Sequence, residues 1–283
     1  MRMEKGKLYL CATPIGNLED MPVRAIRVMK EADLIAAEDT RNSIKLINHF
    51  EIDTPMTSYH EYNKFDKAKL LVKKMLEGET VALITDAGTP GISDPGEELV
   101  KQCIESGIDV IPVPGPAACI NALIISGLST RRFCFEAFLP TEKKELAAVL
   151  DELSRETRTI IIYEAPHRLV KTLNELKAAL AEDRKIAVCK ELTKKHETVF
   201  RATIGEASEY YAANEPKGEY VLVIEGLNRE KIARQKQEEW QKMSVEDHLD
   251  YYVNQGIDKK EAMKMVARDR GVSKREIYNL TIK

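Results

Sequence analysis

The feature that most constrains this chain is the stretch 81–96, VALITDAGTPGISDPG, a short apolar run that breaks into a loop holding Gly88, Pro90, Gly91, Pro95 and Gly96. A short apolar run bounded by glycine and proline is the expected form of a central parallel strand, buried on both faces. In open α/β sheets ligands gather beyond the carboxyl ends of such strands, and glycine there lets a ligand approach the backbone without meeting a Cβ. One such cluster alone reads equally well as a plain surface turn. The runs 7–12, 110–113 and 159–163 end in comparable fashion, at TPIGN, PGPAA and EAPHR, and this repetition favours a ligand-binding edge.

Between these runs lie amphipathic segments. Strands are expected at 7–12, 34–37, 81–85 and 110–113, and helices at 23–31, 42–49, 65–76, 97–106 and 119–126. Pro22 suits the first turn of one helix, Asp39 or Thr40 the N-cap of another, and Gly127 a C-cap. Thr130-Arg131-Arg132 reads as a linker, after which strands 133–138 and 159–163 alternate with helices 143–153 and 169–180. Strands 185–192 and 197–204, joined by Thr193-Lys194-Lys195-His196, read as a hairpin, and a short helix and a strand at 220–225 follow. This predicts two α/β domains, residues 1–129 with a mostly parallel sheet and 130–228 with a mixed sheet. A cleft between them is the natural ligand site.

Residues 229–283 read as a charged helical connector and a small helical module. Its pattern is helix, Gly271-Val272-Ser273, then a second helix from Lys274, which is the form of a helix-turn-helix. From Lys259 onward, Lys259, Lys260, Lys264, Arg268, Arg270, Lys274, Arg275 and Lys283 face only Glu261, Asp269 and Glu276, a local charge of +5 in a chain of net charge -3. A charge run of this length is either a solvated helix face or a reader of a polyanion. Because the global charge is slightly negative, any nucleic-acid partner has to be recognised by this local distribution.

The length of 283 residues suits two domains and an appendage. Five cysteines with no CxxC pair argue for a reducing cytosol and against a disulfide frame or zinc site. MRMEKGKLYL enters a strand at once and no apolar run approaches eighteen residues, so neither a signal peptide nor a membrane span is expected. Gly91 and Gly96 have Walker A spacing, but Glu97-Glu98 stand where Lys-Ser/Thr is required. No GxGxxG follows the first strand, and there is no GxSxG elbow or HExxH pair. Glu38-Asp39-Thr40-Arg41 is either a helix cap or a polar lip on the cleft, with Arg41 meeting a phosphate.

Together Thr13-Pro14-Ile15-Gly16-Asn17, Glu38-Asp39-Thr40-Arg41, Asp86 to Gly96 and Pro114-Gly115-Pro116 resemble the tetrapyrrole (corrin/porphyrin) methylase superfamily. Tyr163-Glu164-Ala165-Pro166-His167-Arg168 and Lys190-Glu191-Leu192-Thr193-Lys194 look like its branch of ribosomal RNA ribose methyltransferases. One departure is Ala87-Gly88-Thr89, which fills the place of the Gly-Asp-Pro of classical members, so the cofactor contact there falls to backbone. The resemblance implies methylation of the 2′-hydroxyl of a decoding-centre cytidine in 16S rRNA, within the small ribosomal subunit, with S-adenosylmethionine as cofactor and a homodimeric enzyme.

Carried over residue by residue, the resemblance places the cofactor against Pro14, Gly88, Gly91, Ile92, Ala117 and Ala118, with Tyr163 and Leu192 closing over it. A hydroxyl is a poor nucleophile at neutral pH, so a base or neighbouring cation is expected beside it. Lys190 and Glu191 are ranked first, ahead of Glu164, Asp39 and His167. Arg41, Arg168 and Lys194 are expected to hold phosphates, together with Lys264, Arg268, Arg270, Lys274 and Arg275 of the tail. A small-molecule tetrapyrrole methylase and a non-catalytic RNA-binding protein on the same fold are the competing readings. The basic tail argues against the first, since a macrocycle needs no polyanion reader.

Overall fold

The computed structural model describes residues 4–281, apart from the side chains at 229–233, 235, 236 and 281. Lys231 and Lys236 of the charged connector therefore have no described side chain, and Lys283 of the basic set lies outside the described residues. The first sheet is built from β1 (Leu8–Cys11), β2 (Leu34–Ala37), β3 (Met56–Ser58), β4 (Val81–Ile84) and β5 (Val110–Val113). Its order is β3-β2-β4-β1-β5 and every pairing is parallel. Successive strand side chains point to opposite faces. Ala82 and Ile84 of β4 thus join the core under α1 (Val23–Glu31) and α2 (Thr40–His49), while Val81 and Leu83 join that under α3 (Lys64–Leu76) and α4 (Gly96–Glu105). Burial on both faces is why this strand is apolar throughout.

The second sheet contains β6 (Phe133–Phe138), β7 (Thr159–Glu164), β8 (Lys185–Lys190), β9 (Thr198–Thr203) and β10 (Tyr220–Ile224), in the order β6-β7-β10-β8-β9. β6 and β7 are parallel and the remaining pairs antiparallel, so the sheet is mixed and β8–β9 form the expected hairpin. Ile160, Ile162, Val188 and Leu222 face a core shared with α6 (Lys143–Ser154), α7 (Pro166–Leu180) and α8 (Ile204–Ala213). The intervening Ile161, Ala187, Cys189 and Val221 face the other way. They pack against Cys119, Ala122 and Leu123 of α5 (Ala118–Ser126), which follows the last strand of the first sheet. One helix thereby joins the two sheets, and the loops at the carboxyl ends of β1, β4 and β5 are turned toward the second.

The two sheets form one compact unit, running to Leu153 and over Thr159–Glu225; a second takes Ser154–Arg158 and the described residues from Gly226 on. The second unit contains α9 (Arg229–Lys242), α10 (Val245–Val253), α11 (Lys259–Arg270) and α12 (Lys274–Thr281) around Leu249, Tyr252, Ala262, Val266 and Ile277. Gly271, at φ 67°, ends α11 in the left-handed conformation that glycine adopts without a Cβ penalty. Here one expectation is corrected. Arg270 is only 9% exposed, and its guanidinium donates to the carbonyl oxygens of Met243 (2.6 Å) and Ser244 (2.8 Å) and to Nδ1 of His248 (3.2 Å). It belongs to the core of the module and is not a phosphate contact. Lys264, Arg268 and Arg275 are exposed and Lys274 is half-buried.

Candidate active site at the cleft between the sheets

Beyond β4 the chain turns at Asp86-Ala87-Gly88. Gly88 sits at φ 88°, and its N–H and carbonyl exchange hydrogen bonds with Thr13 in the loop after β1, at 3.1 and 2.8 Å. This bridge fixes two loop lips side by side at the carboxyl end of the sheet. Between them and the α5-facing side of the second sheet lies a cavity of about 410 Å³, within the usual range for small-molecule sites. Ile15, Gly88, Ile92, Ala117 and Ala118 line it from the first half, and Tyr163, Leu192 and Val221 from the second. Most of this wall is apolar side chain and backbone.

Tyr163 organises the far wall. Its hydroxyl accepts the N–H of Cys119 at 3.1 Å, supplying the cap that Ala117 cannot give to α5. Its ring meets Phe135 edge-on, centroids 4.8 Å apart, with Phe138 at 5.9 Å. Burial pushes the phenol well above its ordinary pKa, so it stays protonated.

The expected acid–base residues divide sharply. Glu164 lines the cavity but is buried. One carboxylate oxygen accepts the N–H of Ala165 (2.8 Å) and lies 3.3 Å from Arg168 Nε, and the other accepts the Thr172 hydroxyl at 2.5 Å. Arg168 also donates to the carbonyl of Leu139 at 2.8 Å, so it is aimed into the fold and not at solvent phosphate. Asp39 caps α2 and accepts from the backbone N–H, Nε and Nη2 of Arg41, at 2.9, 3.0 and 2.7 Å. The side-chain bond from Arg41 is the largest cause holding the Asp39 acid down at about 2. Asp39 does not line the cavity.

Lys190 and Glu191, ranked first, also stand off the cavity wall. Burial on its own would raise the Glu191 acid. The Glu219 N–H at 2.9 Å and Lys194 Nζ at 3.0 Å outweigh it and hold the acid below its usual value. Lys194 reaches Glu219 as well, at 3.0 Å, and Glu219 itself is on the wall. Pro14 lines a neighbouring groove instead. Gly91, at φ 86°, lies off the wall and a Cβ there would meet nothing within 4 Å; it is glycine for its turn, in which its N–H donates to Asp94 at 2.8 Å. His167 is exposed and off the wall.

Three carboxylates on the wall, Glu38, Asp86 and Glu219, are absent from the expected site residues. Glu38 accepts the Thr85 hydroxyl at 2.6 Å, and Asp86 accepts from the Asp39 N–H (3.2 Å) and Asn42 Nδ2 (3.0 Å). Glu38 and Asp86 sit inside the quoted motifs, so a signal is present, whereas Glu219 follows no pattern and reaches the wall only through the register of β10.

The family model described as Tetrapyrrole (Corrin/Porphyrin) Methylases matches residues 7–208. The chain belongs to the tetrapyrrole methylase family. A protein of Halalkalibacterium halodurans (strain ATCC BAA-125 / DSM 18197 / FERM 7344 / JCM 9153 / C-125) called ribosomal RNA small subunit methyltransferase I is 50% identical over 279 residues, spanning 99% of this chain and 96% of that protein. One of the same name from Synechocystis sp. (strain ATCC 27184 / PCC 6803 / Kazusa) is 46% identical over 277 residues, 98% of each chain. Among solved tetrapyrrole methylase folds, a Thermus thermophilus uroporphyrin-III C-methyltransferase complexed with S-adenyl homocysteine superposes with a TM-score of 0.56 at 19% identity. It covers 78% of this chain and 97% of that one. The identity is too low to carry more than the fold, which is the two-sheet architecture described above.

Proposed function

We propose that this tetrapyrrole methylase is an S-adenosylmethionine-dependent methyltransferase of small-subunit ribosomal RNA, acting on the ribose 2′-hydroxyl of a decoding-centre cytidine. The observation that carries the reading is the 50% identity to a ribosomal RNA small subunit methyltransferase I across 99% of the chain, the helical module included. The cleft fits the cofactor. Its volume of about 410 Å³, its apolar wall and the missing Cβ at Gly88 suit a ligand held by shape and backbone. Gly88, Ile92, Ala117, Ala118, Tyr163 and Leu192 would hold it, while Pro14 and Gly91 stand outside the contact set.

Bound there, the cofactor supplies a methyl group activated on sulfonium. The protein's task is then to bring a hydroxyl in line with it, and positioning of this kind supplies much of an acceleration. Asp86 and Glu38 are the acids on the first-sheet side of the wall and take precedence for meeting the ribose hydroxyl. Glu191 acts from behind, through the Glu219 N–H and through Lys194, which also reaches the Glu219 carboxylate, and Lys190 adds its charge beside Glu191. Arg41, whose side chain is 88% exposed, and Lys264, Arg268, Lys274 and Arg275 are the candidate phosphate contacts. In this reading the enzyme is cytoplasmic and dimeric; Ile120 and Ile124, one turn apart on α5 and 42% and 62% exposed, support a second copy.

Single-turnover transfer of radiolabelled methyl to unmodified small ribosomal subunits tests this, with the product nucleoside mapped by mass spectrometry. A 2′-O-methylcytidine in the decoding centre is expected. No incorporation, or a methyl on a base, would overturn the reading.

A further inference from the structure

A second groove, of about 290 Å³, opens beside the cleft between the loop after β1 and one face of α2. Asn42, Lys45, Leu46 and His49 recur at the three- and four-residue spacing of a single helix face. Pro14, Leu18 and Leu46 make its apolar surface. Lys45 and His49 are exposed, and among the described residues neither has an ion-pair partner. Thr85 and Asp86 line both cavities, so whatever occupies the groove meets the contents of the cleft at that seam. The Asp86 oxygens accept from the Asp39 N–H and Asn42 Nδ2, which fixes the carboxylate at the seam, where a hydroxyl of the occupant and not its phosphate would meet it.

An apolar surface edged by an unpaired lysine is the chemistry of a site for one unstacked nucleotide. Single-stranded RNA is recognised by splaying out bases, and phosphates are held by cations at the rim. We infer that the α2 groove takes one ribonucleotide of the RNA substrate. Its sugar and base lie on Pro14, Leu18 and Leu46, its phosphate meets Lys45 and His49, and its ribose hydroxyl reaches the Thr85-Asp86 seam. This rests on the RNA methyltransferase reading above and adds to it the place where the substrate nucleotide sits.

The test uses the full chain with Lys45→Glu, Lys45→Arg and His49→Ala. The readouts are S-adenosylmethionine affinity by calorimetry, binding to unmethylated small ribosomal subunits over a salt series, and single-turnover methylation. Lys45→Glu should leave cofactor affinity within about twofold while lowering kcat/KM by about tenfold or more, the loss expected when a substrate-positioning contact is removed. The log–log salt slope should fall by about 0.7, the value for one phosphate contact on a single strand, and Lys45→Arg should restore most of both. His49→Ala should show a smaller loss in the same direction. An active wild type with an unchanged slope and rate in Lys45→Glu overturns the groove assignment alone. Weakened cofactor binding in that variant overturns it too, by making the groove part of the cofactor site. A wild type that transfers no methyl to the subunit overturns the parent reading, and the groove assignment falls with it.

Discussion

Gly88 and Gly91 offer a matched pair that separates backbone strain from contact with the cavity. Both have positive φ, 88° and 86°, so alanine at either site is strained, by about 1–2 kcal/mol. Their surroundings differ. A Cβ at Gly88 lies 3.3 Å from Ile15 Cγ2 and 3.6 Å from the Pro116 carbonyl, whereas one at Gly91 meets nothing within 4 Å. Ile15 lines the cavity, so it has to give by a few tenths of an ångström and disturb the wall.

Both alanine variants should therefore melt a few degrees lower, at about 2–4 °C per kcal/mol for a unit of this size. Only Gly88→Ala should also weaken S-adenosylmethionine, by about tenfold, equivalent to about 1.4 kcal/mol. Gly88→Val adds a β-branched residue where φ forbids it and should bind no measurable cofactor. Thermal melts and calorimetric titration of the variants decide the matter. Equal loss of cofactor affinity in the two alanine variants would attribute the effect to strain and remove Gly88 from the contact set. Unchanged affinity in Gly88→Ala would remove the cofactor from this loop altogether.

Three further outcomes are expected. Glu164→Gln leaves Arg168 without its buried partner and should cost about 2 kcal/mol, below the usual range because Arg168 is partly exposed; a slower single-turnover rate with unchanged stability would make Glu164 a chemical group instead. His248 is fully buried under Trp240, the ring centroids 3.9 Å apart, and burial, with the nearby Arg270 charge, outweighs the Asp269 carboxylate and pulls its pKa below 6.5. The unfolded chain then takes up the proton first, so the stability of the helical module should hold above about pH 6.5 and decline as the pH falls below it; urea titrations of the module's tryptophan fluorescence between about pH 7.5 and 5.5 would contradict this by showing stability rising toward acid. Replacing Lys264, Arg268 and Arg275 by glutamine should leave cofactor affinity intact and lower the salt slope of subunit binding by about 0.7–0.9 for each phosphate no longer neutralised; a slope that stays put would assign the module to packing or assembly.

Much of the fold is legible in the sequence, most plainly where a strand is buried on both faces. The run at β4 is apolar at all four positions, and the spans 23–31, 34–37, 110–113 and 133–138 coincide with their predicted bounds. β3 is not predicted, because Met56-Thr57-Ser58 is a half-buried edge of three residues with no apolar run to betray it. α7 starts ahead of the residue 169 expected from periodicity, because Pro166 occupies the first helical turn instead of the loop before it. The packing of α5 on the second sheet is not legible at all. Its sequence, ACINALIIS, is apolar on every side and names no partner.

The site divides along the same physical line. Contacts made by backbone are legible, because a position that must admit a ligand close to the main chain announces itself with a small residue: Gly88, Ala117 and Ala118 all reach the cavity. The roles of acidic side chains such as Glu38 and Asp86 are not, since they depend on partners far away in the chain. Glu38 meets Thr85 and Asp86 meets the Asp39 N–H, each 47 residues distant, and no local spacing encodes either pairing. Charge counting fails for a related reason. Arg270 contributes to the tail's positive sum like its neighbours, yet its guanidinium is spent on two carbonyls and a histidine. Conversely Lys45 stands in a mixed helix where no pattern marks it, although it is exposed beside the groove and has no ion-pair partner among the described residues. Lys45 is exposed, whereas the Arg270 guanidinium is enclosed in the core of the helical module, and burial separates the two where charge counting does not.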